Sequence, residues 1–347
     1  MKKVRFAIAL VIMLGAYGSL SSARSQASGD KPKLNVAILI FEGVQIIDYT
    51  GPYEVLGSGR RRNVYTVSEK PDAITTNMGM RVVPNYTFAN QPRPDIMIIP
   101  GGGVKQHLDN PAVIKWIQES AAQARYVMSV CNGAFFLAKA GLLDGLEATT
   151  TAGLIEQLRV AAPKTKVVTD KRFVDNGKII TAAGLSAGID GALHLVEKLD
   201  GRGWAQATAY GIEYNWQTDP GFVRAAIADM LLPQSIYDAF YPGAEPVSFT
   251  GGVEQWEEKW SVTSVSSAAE LLKLINEKWA TAPRWTKAEA GKAVDAAGAA
   301  SHWRLTDEKG QVWNGIVSVQ PVAAEKNRLL LTLTIARSGS SARAQIK

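Results

Sequence analysis

Cysteine and histidine are scarce in this chain of 347 residues, which has one cysteine and three histidines. A single cysteine forms no intramolecular disulfide. The sequence contains no His-x-x-x-His and no Cys-x-x-Cys, the spacings that hold metal ions, so we expect neither a metal nor a cofactor. The apolar run from Phe6 to Ala16 is also too short to span a bilayer as a stable helix.

The basic character of the chain is concentrated at its N-terminus. Residues 1–27 have a basic start, the apolar run and small residues ending in Ser25-Gln26-Ala27, the layout of a secretory signal peptide. Cleavage there would lower the formal net charge from +6 to +2, so no nucleic-acid partner is expected. We expect a secreted or periplasmic protein with no stable membrane insertion after cleavage. A retained N-terminal anchor is the alternative.

From residue 34 onward, apolar strands alternate with helical patterns, which favours an α/β sandwich with a mainly parallel sheet. The strands are expected at 34–40, 64–67, 81–83, 96–99, 126–130, 166–168 and 178–181. One helix is expected to begin at Gly51. Further helices are expected at 111–124, in the stretch after Cys131 and at 186–199.

The texture of the sequence changes near residues 242–246, and the last 103 residues carry six of the nine tryptophans. We expect a separate small α+β domain over 246–336, with an unknown role and with its tryptophans in the core. Its helices are expected at 268–279 and 287–299 and its strands at 303–305, 312–319 and 329–335. Residues 337–347 are predicted to be a disordered tail.

The lone cysteine, Cys131, lies between an apolar strand and a helical stretch, the arrangement of a nucleophile elbow. N–H groups at the start of the following helix favour the thiolate, which is the reactive form. The alternative is that Cys131 is a small buried apolar residue.

Three other segments are expected to meet Cys131, because ligands bind at the carboxyl ends of parallel strands. Pro100-Gly101-Gly102-Gly103 follows one strand and offers closely approachable backbone N–H groups. Gln45-Ile46-Ile47-Asp48 follows the first strand and places an acid in a turn bounded by glycine and proline. Ala148-Thr149-Thr150-Thr151 lies beyond the helix after Cys131.

From about residue 34 to residue 216 the chain resembles the DJ-1/PfpI family of class I glutamine amidotransferase-like proteins, and we expect a DJ-1/PfpI-like domain over 34–240. It is most similar to the branch of isonitrile hydratases and AraC-type regulator N-terminal domains. The resemblance rests on FEGVQIIDYTGPYEV at 41–55, PGGG at 100–103, SVCNGAF at 129–135, AGLLDG at 140–145 and AGIDGALHLVE at 187–197. It implies a flavodoxin-like sandwich and, as an expectation, a homodimer.

The resemblance also implies roles for individual residues. Cys131 would be the nucleophile or redox thiol, and Asp48 the acid that bonds to its sulfur. Backbone N–H groups of Gly102 and Asn132 would form an oxyanion pocket. The pocket would be completed by Gly103, Thr150 and Thr151. Two departures stand out: Thr151 occupies the position of a histidine in many relatives, and Asn132 that of a threonine in the hydratases.

We therefore expect an exported enzyme that uses a cysteine and an acidic partner on a small-molecule electrophile, such as hydration of an isonitrile. Glyoxalase- or deglycase-like action is one alternative, and a non-catalytic ligand-binding or redox-sensing module is another. Among the histidines, a structural role is expected for His194, while His107 lies close enough to the glycine loop to reach the pocket.

Overall fold

The computed structural model describes residues 33–59, 61–217, 222–288, 299–322, 325 and 327–339. The predicted signal peptide lies outside these residues, as does 340–347 of the predicted tail. Among the helices of the described ranges, none is both long enough and apolar enough to cross a membrane.

A seven-stranded sheet forms the centre of the first part of the chain, with the strand order β10-β11-β7-β6-β1-β2-β5. All its neighbours pair in parallel except β10, which is antiparallel to β11. The expected mainly parallel α/β sheet is confirmed. The strands of this part are β1 (Leu34–Leu39), β2 (Arg62–Ser68), β3 (Ile74–Thr75), β4 (Arg81–Val82), β5 (Tyr86–Thr87), β6 (Ile96–Ile99), β7 (Tyr126–Val130), β8 (Glu147–Ala148), β9 (Lys166–Val167), β10 (Phe173–Asp175) and β11 (Ile179–Ala182).

Every residue of the central strand β6 is buried, so neither face of the sheet is open to water at this strand. Helices provide this cover on a mainly parallel sheet. The helices are α1 (Ile46–Gly57), α2 (Pro111–Gln123), α3 (Ala134–Lys139), α4 (Ile155–Ala161), α5 (Ala187–Asp200) and α6 (Arg202–Gly211). Helix α1 packs against α5, whereas α3 packs against α2 and α4.

The start of α1 differs from the sequence prediction. The helix begins at Ile46 instead of Gly51, so Asp48 lies in its first turn and not in a loop. An acid is favourable there because the N-terminus of a helix carries partial positive charge. Pro52 consequently lies inside the helix, where it has no N–H to give to the carbonyl of Asp48.

In the last part of the chain, the described residues form an antiparallel sheet with one α-helix, which confirms the expected α+β domain. The strand order is β12-β13-β17-β16-β15-β14. Alternate residues of β16 and β17 are buried, as in a sheet with one covered face. The elements are β12 (Ala244–Gly251), β13 (Gln255–Val262), α7 (Ala268–Ala280), β14 (Trp285–Ala288), β15 (Ala299–Thr306), β16 (Val312–Pro321) and β17 (Leu329–Arg337).

Two details of this domain differ from the sequence prediction. Strands β12 and β13 were not expected, because β12 is largely exposed and β13 mixes charged residues with tryptophans. The helix expected at 287–299 is wrong at both ends: residues 287–288 belong to β14 and residue 299 to β15, two paired strands. Residues 289–298 lie outside the described residues.

The described residues form two separate buried cores. The tryptophans of the second core pack on one another, with the rings of Trp279 and Trp303 stacked 5.5 Å apart. This core also contains Ala228, Ile236 and Phe240, which precede the second sheet. The segment 228–240, placed in the first domain by the sequence analysis, therefore packs with the second.

Candidate active site

The four parallel strands β1, β6, β7 and β11 lie side by side, so the segments that follow them meet at one edge of the sheet. Gly102 pairs with Val44 in an isolated bridge between the loops after β6 and β1. The N–H of Cys131, after β7, donates to the carbonyl of Ala183, after β11 (2.9 Å). Backbone hydrogen bonds thus fix these four segments against one another.

Cys131 has the backbone conformation of a nucleophile elbow. Its φ is +57°, a left-handed value that is uncommon for residues other than glycine. The Thr150 hydroxyl donates to the Cys131 carbonyl (2.9 Å) and holds the strained residue from the other side. The turn needs glycine at 133, since a Cβ there would lie 2.1 Å from the carbonyl oxygen of Ile99. The chain can therefore leave the sheet sharply and present the thiol at the sheet edge.

Asp48 is a fully buried carboxylate beside the thiol. Its Oδ2 accepts the N–H of Gly101 and its Oδ1 that of Leu185, each at 3.1 Å. Leu185 also has a left-handed φ of +56°, although half of its side chain is exposed. Its strained backbone turns an N–H group toward Asp48. The loop after β11 was not part of the predicted site, because a backbone donor has no signature in the sequence.

Cys131 and Asp48 hold a single negative charge between them at neutral pH. Burial raises the pKa of Asp48 to about 6, against the opposing effect of its two backbone donors. Burial, and then the charge of Asp48, raise the pKa of the Cys131 thiol to about 12. The resting site is therefore a thiol next to a carboxylate.

This state differs from the thiolate expected from the sequence. The residues after Cys131 form one 3₁₀ turn and the six-residue helix α3, so the helix dipole at the sulfur is small. Burial and the neighbouring carboxylate outweigh it. The backbone N–H of Asn132 and the Thr151 hydroxyl still favour the charged form of the sulfur.

Thr151 lies against the sulfur, at the position where the family resemblance places a histidine. A Cβ on Gly184 would be 2.7 Å from the Thr151 hydroxyl oxygen and 3.7 Å from the Cys131 sulfur, so both atoms surround one point. Unlike imidazole, a hydroxyl cannot take a proton from a thiol near neutral pH. Asp48 is the group beside the thiol that can do so.

The side chain of Asn132 bonds to both backbone polar groups of Gly102. Its Oδ1 accepts the Gly102 N–H (2.7 Å) and its Nδ2 donates to the Gly102 carbonyl (2.8 Å). These two bonds fix the orientation of the amide, because a flipped amide would face donor to donor and acceptor to acceptor. The Gly102 N–H that was expected to face an oxyanion is therefore used within the protein. Gly103 gives its N–H to the Gly43 carbonyl (2.8 Å).

Comparison with known proteins agrees with this geometry. Residues 34–198 match the model of the DJ-1/PfpI family. An isonitrile hydratase from Pseudomonas putida is 38% identical over 185 residues, which are 52% of this chain and 78% of that protein. The chain belongs to the DJ-1/PfpI family.

Other DJ-1/PfpI relatives extend the comparison. A crystal structure of a ThiJ/PfpI family protein from Pseudomonas syringae superposes with a TM-score of 0.51 at 28% identity. The superposed region covers 58% of this chain and 86% of the Pseudomonas syringae chain. The HTH-type transcriptional regulator GbdR from Pseudomonas aeruginosa is 26% identical over 48% of this chain. The match spans about half of that regulator, at 47% of its length.

The histidines of the DJ-1/PfpI domain bond to other groups than the thiol. His107 Nε2 pairs with the Glu42 carbonyl at 2.9 Å, and its ring packs on Phe41. His194 Nε2 pairs with an Asp175 carboxylate oxygen at 2.8 Å, a structural contact. Within the described ranges, no three histidine, cysteine or acidic side chains cluster closely enough to hold a metal ion.

A cavity of about 290 Å³ lies beside the loop after β11. The Arg172 guanidinium donates through Nε to buried Asp190 (2.5 Å) and through Nη2 to the Ser186 hydroxyl (3.0 Å). The Tyr214 hydroxyl donates to the other carboxylate oxygen of Asp190 (3.0 Å). The Arg172–Asp190 pair joins the residue before the edge strand β10 to helix α5.

Proposed function

We propose that this protein is a cysteine-dependent enzyme of the DJ-1/PfpI family that acts on a small electrophile, with hydration of an isonitrile as the specific reaction. One observation carries the proposal. A strained cysteine touches a fully buried carboxylate that is held by two backbone donors and has a pKa raised to about 6. A base of that pKa is well matched to taking a thiol proton near neutral pH. The similarity to an isonitrile hydratase supports the substrate class.

In the first half of the reaction, the sulfur of Cys131 attacks the terminal carbon of R–N≡C while Asp48 takes the thiol proton. The electron pair released by this attack stays on the isonitrile carbon, which receives the proton from Asp48. The S–H bond is broken, and C–S and C–H bonds form, giving the thioimidate R–N=CH–S–Cys131. The Asn132 N–H and the Thr151 hydroxyl stabilise charge on the sulfur as the proton leaves.

In the second half, a water molecule adds to the thioimidate carbon and the nitrogen receives one of its protons. The C–S bond then breaks, the remaining water proton returns to the sulfur through Asp48, and the formamide R–NH–CHO is released. The overall change is addition of one water to one isonitrile. Asp48 moves a proton at both stages, which a carboxylate with a raised pKa does readily.

The test is turnover of a panel containing an alkyl isonitrile, methylglyoxal and glutamine, with products identified by mass spectrometry. Cys131→Ala and Asp48→Asn are expected to lose isonitrile hydration by at least about 10²-fold. Asp95→Asn is the matched control, since Asp95 also accepts a backbone N–H (2.8 Å) but precedes β6, at the opposite end of the strand. Hydration that survives in Cys131→Ala would refute the proposal, and turnover of methylglyoxal alone would favour the glyoxalase-like alternative.

The proposal includes export and homodimerisation, which rest on the sequence of residues 1–27 and on the family resemblance. Export is tested by cell fractionation of the full chain against a variant without residues 1–27. The mature protein is expected in the periplasm or medium, and the shortened chain in the cytoplasm. Light scattering of the mature protein tests for twice the mass of one chain.

A further inference from the structure

The side chain of Asn132 occupies the backbone donor that an acyl-transfer enzyme would need. Attack on an ester or amide carbonyl places negative charge on oxygen, and a pair of N–H donors directed at that oxygen lowers the barrier. Here the two candidate donors are the N–H groups of Gly102 and Asn132. The first is bonded to Asn132 Oδ1 at 2.7 Å.

The residues on both sides of Gly102 are held by backbone hydrogen bonds to the loop after β1. Gly102 is held from the opposite side by the loop after β1, where Gln45 donates to the Gly101 carbonyl (2.8 Å) and Gly103 donates to Gly43. The backbone N–H and the backbone carbonyl of Gly102 both bond to the side chain of Asn132. A Cβ at Gly101 would lie 2.1 Å from Asn132 Oδ1 and 2.9 Å from Asp48 Oδ2. The amide oxygen of Asn132 thus reaches the immediate surroundings of the catalytic carboxylate.

We propose that Asn132 is a specificity-determining residue that closes the oxyanion site and so excludes ester and amide substrates from Cys131. Attack on an isonitrile is not impeded in its first step, because the electron pair then develops on carbon and is protonated there. The inference rests on the proposed function in one respect, that Cys131 is a nucleophile. It predicts that removal of the Asn132 side chain creates an acyl-transfer activity which the natural protein lacks.

The experiment measures acylation of Cys131 by p-nitrophenyl acetate, followed as the burst of p-nitrophenol and as a mass increase of one acetyl group. In this step the sulfur displaces p-nitrophenolate from the acetyl carbon, and the thiol proton passes to Asp48. Asn132→Ala and Asn132→Ser are compared with the natural protein, and Cys131→Ala sets the background. Since loss of one oxyanion donor costs roughly 10²–10³-fold, we expect freeing Gly102 to raise the acylation rate at least about ten-fold.

The two variants guard against a failure to fold, because serine keeps a short polar group while removing the two-point contact. Alkylation of each protein by iodoacetamide is measured in parallel as a readout of thiol reactivity alone. Equal acylation rates in the natural protein and in a folded variant whose thiol alkylates normally would overturn the role of Asn132. A thiol inert to both reagents in every protein would instead refute the proposed function.

Discussion

Replacing Asp48 with asparagine is expected to make the Cys131 thiol easier to alkylate while abolishing turnover. In the structure the negative charge of Asp48 is the second cause, after burial, of the raised thiol pKa. Asparagine removes that charge but leaves the sulfur buried. The same change removes the group that takes and returns the proton during turnover. Alkylation is therefore expected to rise while turnover falls. An account in which the resting proton lies on Asp48 and the sulfur is already a thiolate predicts that both fall.

The size of the effect follows from Coulomb repulsion between two adjacent like charges. Two like charges about 4 Å apart repel by about 4 kcal/mol at an effective dielectric constant near 20, which corresponds to about 3 in pKa. Removing Asp48 should therefore lower the thiol pKa from about 12 by roughly 1 to 3. The thiolate fraction at pH 8 rises accordingly. Because a less basic thiolate is a weaker nucleophile, the net gain in alkylation rate is about 3- to 40-fold.

The assay is the rate of iodoacetamide modification at pH 8, with the adduct on Cys131 quantified by mass spectrometry. Since the chain has one cysteine, the signal reports this site alone. Asp95→Asn should alkylate at the rate of the natural protein, because Asp95 lies at the far end of β6. Slower alkylation of Asp48→Asn would refute the reasoning, since it would place the resting proton on Asp48 and the negative charge on the sulfur.

Three further predictions concern stability and the roles of neighbouring residues. The folded-state pKa of Asp48 is raised from 3.8 to about 6, so its stabilising effect is present at low pH and is lost as pH rises from about 4 to about 6. Relative to Asp48→Asn, the natural protein should lose roughly 3 kcal/mol of unfolding free energy between pH 4 and pH 7 in urea titrations; a pH-independent difference would contradict this. Gly133→Ala should lower the melting temperature by many degrees, because the added Cβ would overlap the Ile99 carbonyl oxygen. The control is Gly203→Ala in α6, where an added Cβ meets no atom within 4 Å. That change should leave the melting temperature unchanged or raise it. Thr151→Val, which keeps the shape but removes the hydroxyl, should reduce kcat about 10-fold and leave the melting temperature within a few degrees; an unchanged kcat would show that the hydroxyl does not assist the sulfur.

The strands of the central sheet could be predicted from the sequence because their physical signal is local. The run of four isoleucine and methionine residues at 96–99 has no polar face and must be buried on both sides, as β6 is. The positions of Cys131 and Asp48 next to each other also follow from the order of strand ends. Both residues lie where the family motifs place them.

What the sequence could not provide depends on contacts between distant segments. The N–H of Leu185 reaches Asp48 from a loop residue with a left-handed φ, a conformation that a leucine side chain does not predict. The protonation state of Cys131 depends on burial and on Asp48, 83 positions earlier in the chain, rather than on the adjacent short helix. The pairing of Asn132 with Gly102 likewise required the loops after β1, β6 and β7 to be brought together.

The most direct test of the central claim is to detect the covalent intermediate. The mature protein is mixed with an alkyl isonitrile, quenched in acid within the first turnovers and measured by intact mass. The account predicts an increase equal to one whole isonitrile molecule, located on Cys131 by peptide mapping and absent from Cys131→Ala. Formamide release by the natural protein, with no such adduct under conditions where chemistry precedes the slow step, would contradict it.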